Sequence, residues 1–162
     1  MQSDNTMEYG SAGTSNDVSA NYMNFDLGAN ISGILVGANY ELQSGKSGSD
    51  DAFITPLGTN HKFNGWADVF LANDSHDDGL ADLNARVGYK AKGFGKVLAV
   101  YHKFDSDVKS IDLGSEIDVL YANKIPGVNG LNGLVKAAFF SQGDAGTHAD
   151  TTKVWVQVDY KF

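Results

Sequence analysis

Three features of this 162-residue sequence predict an all-β, antiparallel transmembrane β-barrel of the outer-membrane type, with seven to eight strands in the chain. Apolar and polar residues alternate over stretches close to the ~9–11 residues a tilted strand needs to cross a bilayer. Of the 20 acidic residues 17 are Asp, and there are 19 Gly, so the composition favours turns and resists helix interiors. Short turns and longer polar loops alternate along the chain, as they do at the two ends of such barrels. No helix-period segment stands out.

Taken in order, Met23, Phe25, Leu27 and Ala29 alternate with Tyr22, Asn24, Asp26, Gly28 and Asn30. After the short turn Asn30–Gly33, Ile34, Val36, Ala38, Tyr40 and Leu42 alternate with Leu35, Gly37, Asn39, Glu41 and Gln43. Over 82–91, Leu83, Ala85, Val87, Tyr89 and Ala91 share one face, and Asp82, Asn84, Arg86, Gly88 and Lys90 the other. Leu113, Ser115, Ile117, Val119 and Tyr121 alternate with Gly114, Glu116, Asp118 and Leu120. The last strand sets Val154, Val156, Val158, Tyr160 and Phe162 against Lys153, Trp155, Gln157, Asp159 and Lys161. Two further strands, 96–104 and 133–142, are apolar on both sides, and the pattern leaves their orientation open. That makes seven. An eighth has two candidates: Asn64–Leu71, with Ala67, Val69 and Leu71 on one side, or residues 1–17, whose Gly10–Asn16 reads as loop. The chain is expected to be one domain, with strands over 18–162 and a loop-like start over 1–17.

Tyr40, Tyr89, Tyr121 and Tyr160 fall near strand ends, where an interfacial aromatic girdle belongs. A soluble β-sandwich also alternates, and it is the competing fold. The start, Met1–Asn5, carries no secretion signal, so a leader is expected to have been removed or the chain to be a fragment.

Several functions are disfavoured. The net charge is −8 and the isoelectric point about 4.7, which provides no basic stripe for nucleic acid. The absence of Cys removes thiolate metal sites, Fe–S clusters and cysteine nucleophiles. No hydrolase, zincin or phosphate-loop motif occurs, so neither a catalytic residue nor a cofactor is assigned. The acidic loop Asn73–Gly79 has the look of a calcium loop, but His76 and Ala85 occupy ligand positions, so it reads as solvated. The four His (61, 76, 102 and 148) are scattered without ligand spacing, and no metal is expected.

The informative residues are those opposite the apolar faces: Asp82, Asn84, Arg86, Lys90, Glu116, Asp118, Lys136, Lys153, Gln157 and Asp159. They either line a polar channel and tune its ion preference or pair into a packed, non-conducting interior, as eight strands alone would favour. Their signs are mixed, and Arg86 is the only arginine. Phe63, Trp66, Asp68 and Phe70 are expected to form a constriction where a long loop folds inward; ordinary strand packing is the alternative.

The segment Phe53–Leu71, with its Thr55-Pro56-Leu57 and Gly65-Trp66-Ala67-Asp68, is followed by 78–83, Val100–Phe104 and Gly114–Asp118. In order and spacing these stretches resemble the C-terminal part of alginate-export-family outer-membrane porins, over about Tyr22–Phe162. The resemblance implies a Gram-negative barrel that passes small or polymeric solutes, with outer-membrane lipid and lipopolysaccharide around it. It also implies recognition of the C-terminal strand, which ends in Phe162, by the outer-membrane assembly machinery. Family barrels are larger than 162 residues can make. The chain is therefore either a segment of a larger barrel, completed by further strands or another chain, or a reduced barrel that closes alone. The lumen is less basic than an anionic polysaccharide would want, so the resemblance supports a porin better than it supports alginate.

Overall fold

The computed structural model describes residues 20–46, 53, 64–70, 78–146 and 148–162. Seven strands follow one another: β1 (Tyr22–Ile31), β2 (Ile34–Gln43), β3 (Leu80–Ala91), β4 (Gly95–Asp105), β5 (Asp112–Lys124), β6 (Leu131–Gln142) and β7 (Thr151–Tyr160). Each pairs antiparallel with the next in a single sheet of order β1 to β7, and no helix occurs among the described residues. The β1–β2 turn shows why the hairpins are tight. Ser32 and Gly33 both take positive φ, 52° and 91°, the combination that follows the twist of two-residue hairpins.

The sheet is open. Strands β1 and β7 are its edges, and both run from the long-connection end to the short-turn end. Two strands of the same direction cannot pair antiparallel, so an antiparallel closure needs an odd number of further strands between them.

Asn64–Leu71 does not supply one over its described part, 64–70. Asn64, Gly65 and Asp68 have φ of 54°, 85° and 54°, a left-handed conformation that no extended strand holds. Leu71 and residues 1–17 lie outside the described residues. The segment 64–70 is instead an irregular strap laid against the sheet.

Register settles the two strands that are apolar on both sides. Lys96, Leu98, Val100, His102 and Phe104 of β4 share a face with Asp82, Asn84 and Arg86. Leu134, Lys136, Ala138 and Phe140 of β6 share it with Glu116 and Asp118. The sheet thus has a polar face and an apolar one, and the core lies on the polar side. There the strap's Ala67 and Phe70 pack with Leu80, Phe104, Leu113, Ala138 and Phe140. The apolar face is bare: Leu27 is 68%, Val87 57% and Val156 75% exposed.

The apolar belt also slants. Its upper edge is Met23 on β1, level with Ala81 of β3, and Val154 on β7, level with Val87. That edge slides six residues over six strand steps; between them it passes Tyr101, Ile117 and Phe139, whose next neighbours on that face are Lys103, Ser115 and Ser141.

Candidate functional site

Alternation places Glu41, Asp82, Glu116 and Asp118 on the polar face near the long-connection end, on three adjacent-register strands, β2, β3 and β5, with β4 between the last two. All four are buried. Burying carboxylates is costly unless each finds donors, and for Asp82, Glu116 and Asp118 the donors come from β4 and the strap. His102 reaches Asp82 through Nδ1, at 2.9 and 3.0 Å from its two oxygens, and its Nε2 lies 3.5 Å from Asp118 Oδ2. The ring of Phe104 stacks on His102 at 5.5 Å.

The strap meets this cluster with its backbone. The left-handed turn at Asn64 and Gly65 points two successive N–H groups one way. Trp66 N–H donates to Glu116 Oε1 at 2.5 Å, and Ala67 N–H donates to the same oxygen at 2.8 Å. Trp66 N–H also lies 3.2 Å from Asp118 Oδ2. Such a concave pair of amides is an anion cradle, filled here by a side chain of the wall. Gly65 is required at this turn: a Cβ would sit 2.6 Å from Glu116 Oε2, on a residue whose φ is +85°. Gln43 Nε2 donates to Asn64 Oδ1 at 2.9 Å, and Lys153 Nζ donates to Asp68 Oδ2 at 3.2 Å, so the strap is tied to β2, β5 and β7. Phe70 closes the far end against Phe104 and Phe140, with ring centroids 4.6 and 5.7 Å away. Lys136 is held between two indoles, 5.1 Å from Trp66 and 4.6 Å from Trp155. A cation over an aromatic face is stabilised by the ring quadrupole, so Lys136 bridges strap and wall without a carboxylate.

The remaining residues form separate features. Asn84 joins an amide row, donating to Asn39 Oδ1 at 3.3 Å, while Asn39 donates to Asn24 Oδ1 at 2.9 Å. Arg86 crosses β2 to Asp26 on β1 as a fork, at 2.6 and 2.8 Å. It can lie flat because Gly28 and Gly37 stand beneath it, where a Cβ would come within 2.8 Å and 2.6 Å of the guanidinium. Gln157 donates to Asp159 on β7 at 2.9 and 3.0 Å, and Lys90 stands at the short-turn end.

The structure therefore brings Asp82, Glu116, Asp118, Lys136, Lys153, Trp66, Asp68 and Phe70 into one strapped cluster, and leaves Asn84, Arg86, Lys90, Gln157 and Asp159 outside it. Phe63 lies outside the described residues, as do Asn73–Asp77 of the acidic loop; Asp78, at its end, accepts from Lys109 Nζ at 2.8 Å. Sequence reasoning overlooked His102 and Glu41. The signal for both is register: once β4 is placed, His102 stands opposite Asn84 and Glu116, and Glu41 opposite Asp82. Comparison of the chain with family models, with curated proteins and with solved structures finds no match.

Proposed function

We propose that the chain forms the wall of a porin-like channel in the outer membrane of a Gram-negative bacterium, passing small or saccharide-type solutes along its polar face. One observation carries this reading: a bare apolar belt that slants by about one residue per strand. A slide of ~3.4 Å along the strand for each ~4.8 Å across it corresponds to strands tilted roughly 35° from the normal to the belt. That is close to the tilt of ~35–45° that strands take in outer-membrane barrels. A soluble sheet has no reason to expose such a belt or to slant it. Tyr89, Phe94 and Tyr121 cluster at its short-turn edge, with centroids 5.6 and 6.0 Å apart, as interfacial aromatics do. Lipid and lipopolysaccharide would cover the belt, and the assembly machinery would read β7. Strands beyond these seven, in odd number, would complete the wall. The strap would narrow the path.

A second reading keeps one observation in its favour. The strap buries an apolar core on the polar face, as expected of a small closed barrel with a packed, non-conducting interior and a structural or surface-binding role. Planar-bilayer conductance, measured alongside mass in detergent, separates the two. Steady openings whose ion preference changes in Glu116→Gln or Arg86→Gln support the channel. A folded, inserted monomer that passes no current supports the packed barrel.

A further inference from the structure

The charges of the polar face are mixed in number but segregated in space. On β3 Asp82 and Lys90 share the face, and on β5 Glu116 and Lys124 share it, each pair eight residues apart. At ~3.4 Å per residue that is about 27 Å. The acidic members lie at the long-connection end with Glu41, and Asp118 stands at mid-strand level with Arg86; the lysines lie at the short-turn end. Lys96 stands directly opposite Lys90, and Lys161 follows Asp159 on the same face of β7. Lys92 sits in the β3–β4 turn.

None of these five lysines has an ion-pair partner among the described residues. Among the described residues, Asp159 is the one acidic side chain on this face at that end, and Gln157 holds it. The turns 32–33, 92–94 and 125–130 contain no acidic residue. Elsewhere the cations are engaged: at the long-connection end Lys153 with Asp68, Lys103 with Asp112 and Lys109 with Asp78, and at mid-strand Lys136 between its two indoles. Two ammonium groups directly opposite across a ladder repel each other, so Lys90 and Lys96 weaken their own hairpin unless an anion comes between them.

We infer that the short-turn end of the polar face is an anion-gathering mouth, made by Lys90, Lys96, Lys124 and Lys161, which makes conduction asymmetric. The inference rests on the channel reading. Fixed charge of one sign at one mouth raises the local concentration of the opposite ion, and the opposite sign at the far end makes the two current directions unequal. The species gathered are small inorganic anions.

The test is single-channel current in potassium chloride. At about 0.01 M, where the screening length is ~30 Å, current at the two polarities should differ by about twofold or more; at about 1 M, where it is ~3 Å, the ratio should fall to about one. Replacing all four lysines with Gln should lower the low-salt asymmetry to what the acidic end alone contributes, and replacing them with Arg should keep it whole. The double variants K90Q/K96Q and K124Q/K161Q should each lower the ratio, and they decide the matter if the fourfold variant does not insert. A conducting wild type with symmetric low-salt current overturns the mouth and leaves the channel standing. So does an asymmetry that the Gln variants retain undiminished. A wild type that inserts and never conducts overturns both.

Discussion

The two ends of the polar face use similar residues to opposite effect. At the long-connection end, acids and aromatics are buried under the strap, and Asp82, Glu116 and Asp118 have donors from a neighbouring strand or from backbone amides. At the short-turn end, Leu98, Leu120 and Leu134 are half-buried and the lysines stand without partners. The first end is organised by packing and hydrogen bonding, and the second by long-range charge. Burial makes substitutions costly, whereas exposed charge makes them cheap in stability and expensive in conduction. On the channel reading, the same sheet therefore separates a structural half from a selective half.

The largest effect is expected under the strap. Phe104, fully buried between Phe70, Phe140 and His102, should lose about 3–5 kcal/mol on Phe104→Ala, because the site is held from both sides and cannot collapse. Leu98→Ala, on the same face of the same strand but beyond the strap, should cost roughly 1 kcal/mol, since only part of its surface is covered. Denaturant unfolding of the protein refolded in lipid measures both. Equal losses would mean that the two ends are packed alike.

The apolar face is next. Val87→Arg, on the bare belt, should destabilise by about 2–4 kcal/mol in lipid, the cost of a cation near the bilayer midplane. The same unfolding assay reads it. A loss below about 0.5 kcal/mol, the size of an ordinary surface substitution, would place that face in water and remove the support for the membrane reading.

The residues most legible in the sequence are those whose environment is simplest. In β2, β3 and β7 alternation alone sorts the faces, because nothing apolar covers their polar side over most of their length. It fails in β4 and β6 for a physical reason. Phe104, Ala138 and Phe140 are apolar on the polar face because the strap makes a core there, and a period-two pattern has no way to register a distant segment. Asn64–Leu71 misleads in the reverse sense. Its alternation is real, but three left-handed residues over 64–70 bend it into a cradle for Glu116. His102 was passed over for lack of ligand spacing along the chain, whereas its partners Asp82 and Asp118 come from the strands on either side.

Glu116→Gln tests the cradle itself. The neutral amide still accepts from the Trp66 and Ala67 N–H groups but without charge assistance, and it introduces an NH2 where a carboxylate oxygen stood. A loss of about 1–2 kcal/mol is expected. If the strap narrows the path, single-channel conductance should also rise, and Trp66 emission should shift to the red as its backbone anchor loosens. A stability loss with unchanged conductance would mean that the cradle is structural and the path runs elsewhere.

The smallest effect separates a charge that carries conduction from one that carries the fold. The Arg86–Asp26 fork has good geometry, but the two side chains are 28% and 49% exposed, so solvent screens the pair. Exposed ion pairs contribute about 0.2–1 kcal/mol, and Arg86→Gln should fall in that range, since the Asp26 carboxylate left behind stays hydrated. It also stands near the middle of the face, between the acidic end and the lysines. The variant should therefore leave the unfolding midpoint nearly unchanged and shift the reversal potential in a salt gradient towards cation preference. Gly37→Ala gives an independent route to the same end. A methyl group there meets the guanidinium and pushes Arg86 off the floor of the sheet while keeping its charge. If the preference shifts in Arg86→Gln and not in Gly37→Ala, the charge matters more than its position. If neither moves it, selectivity resides at the lysine end alone.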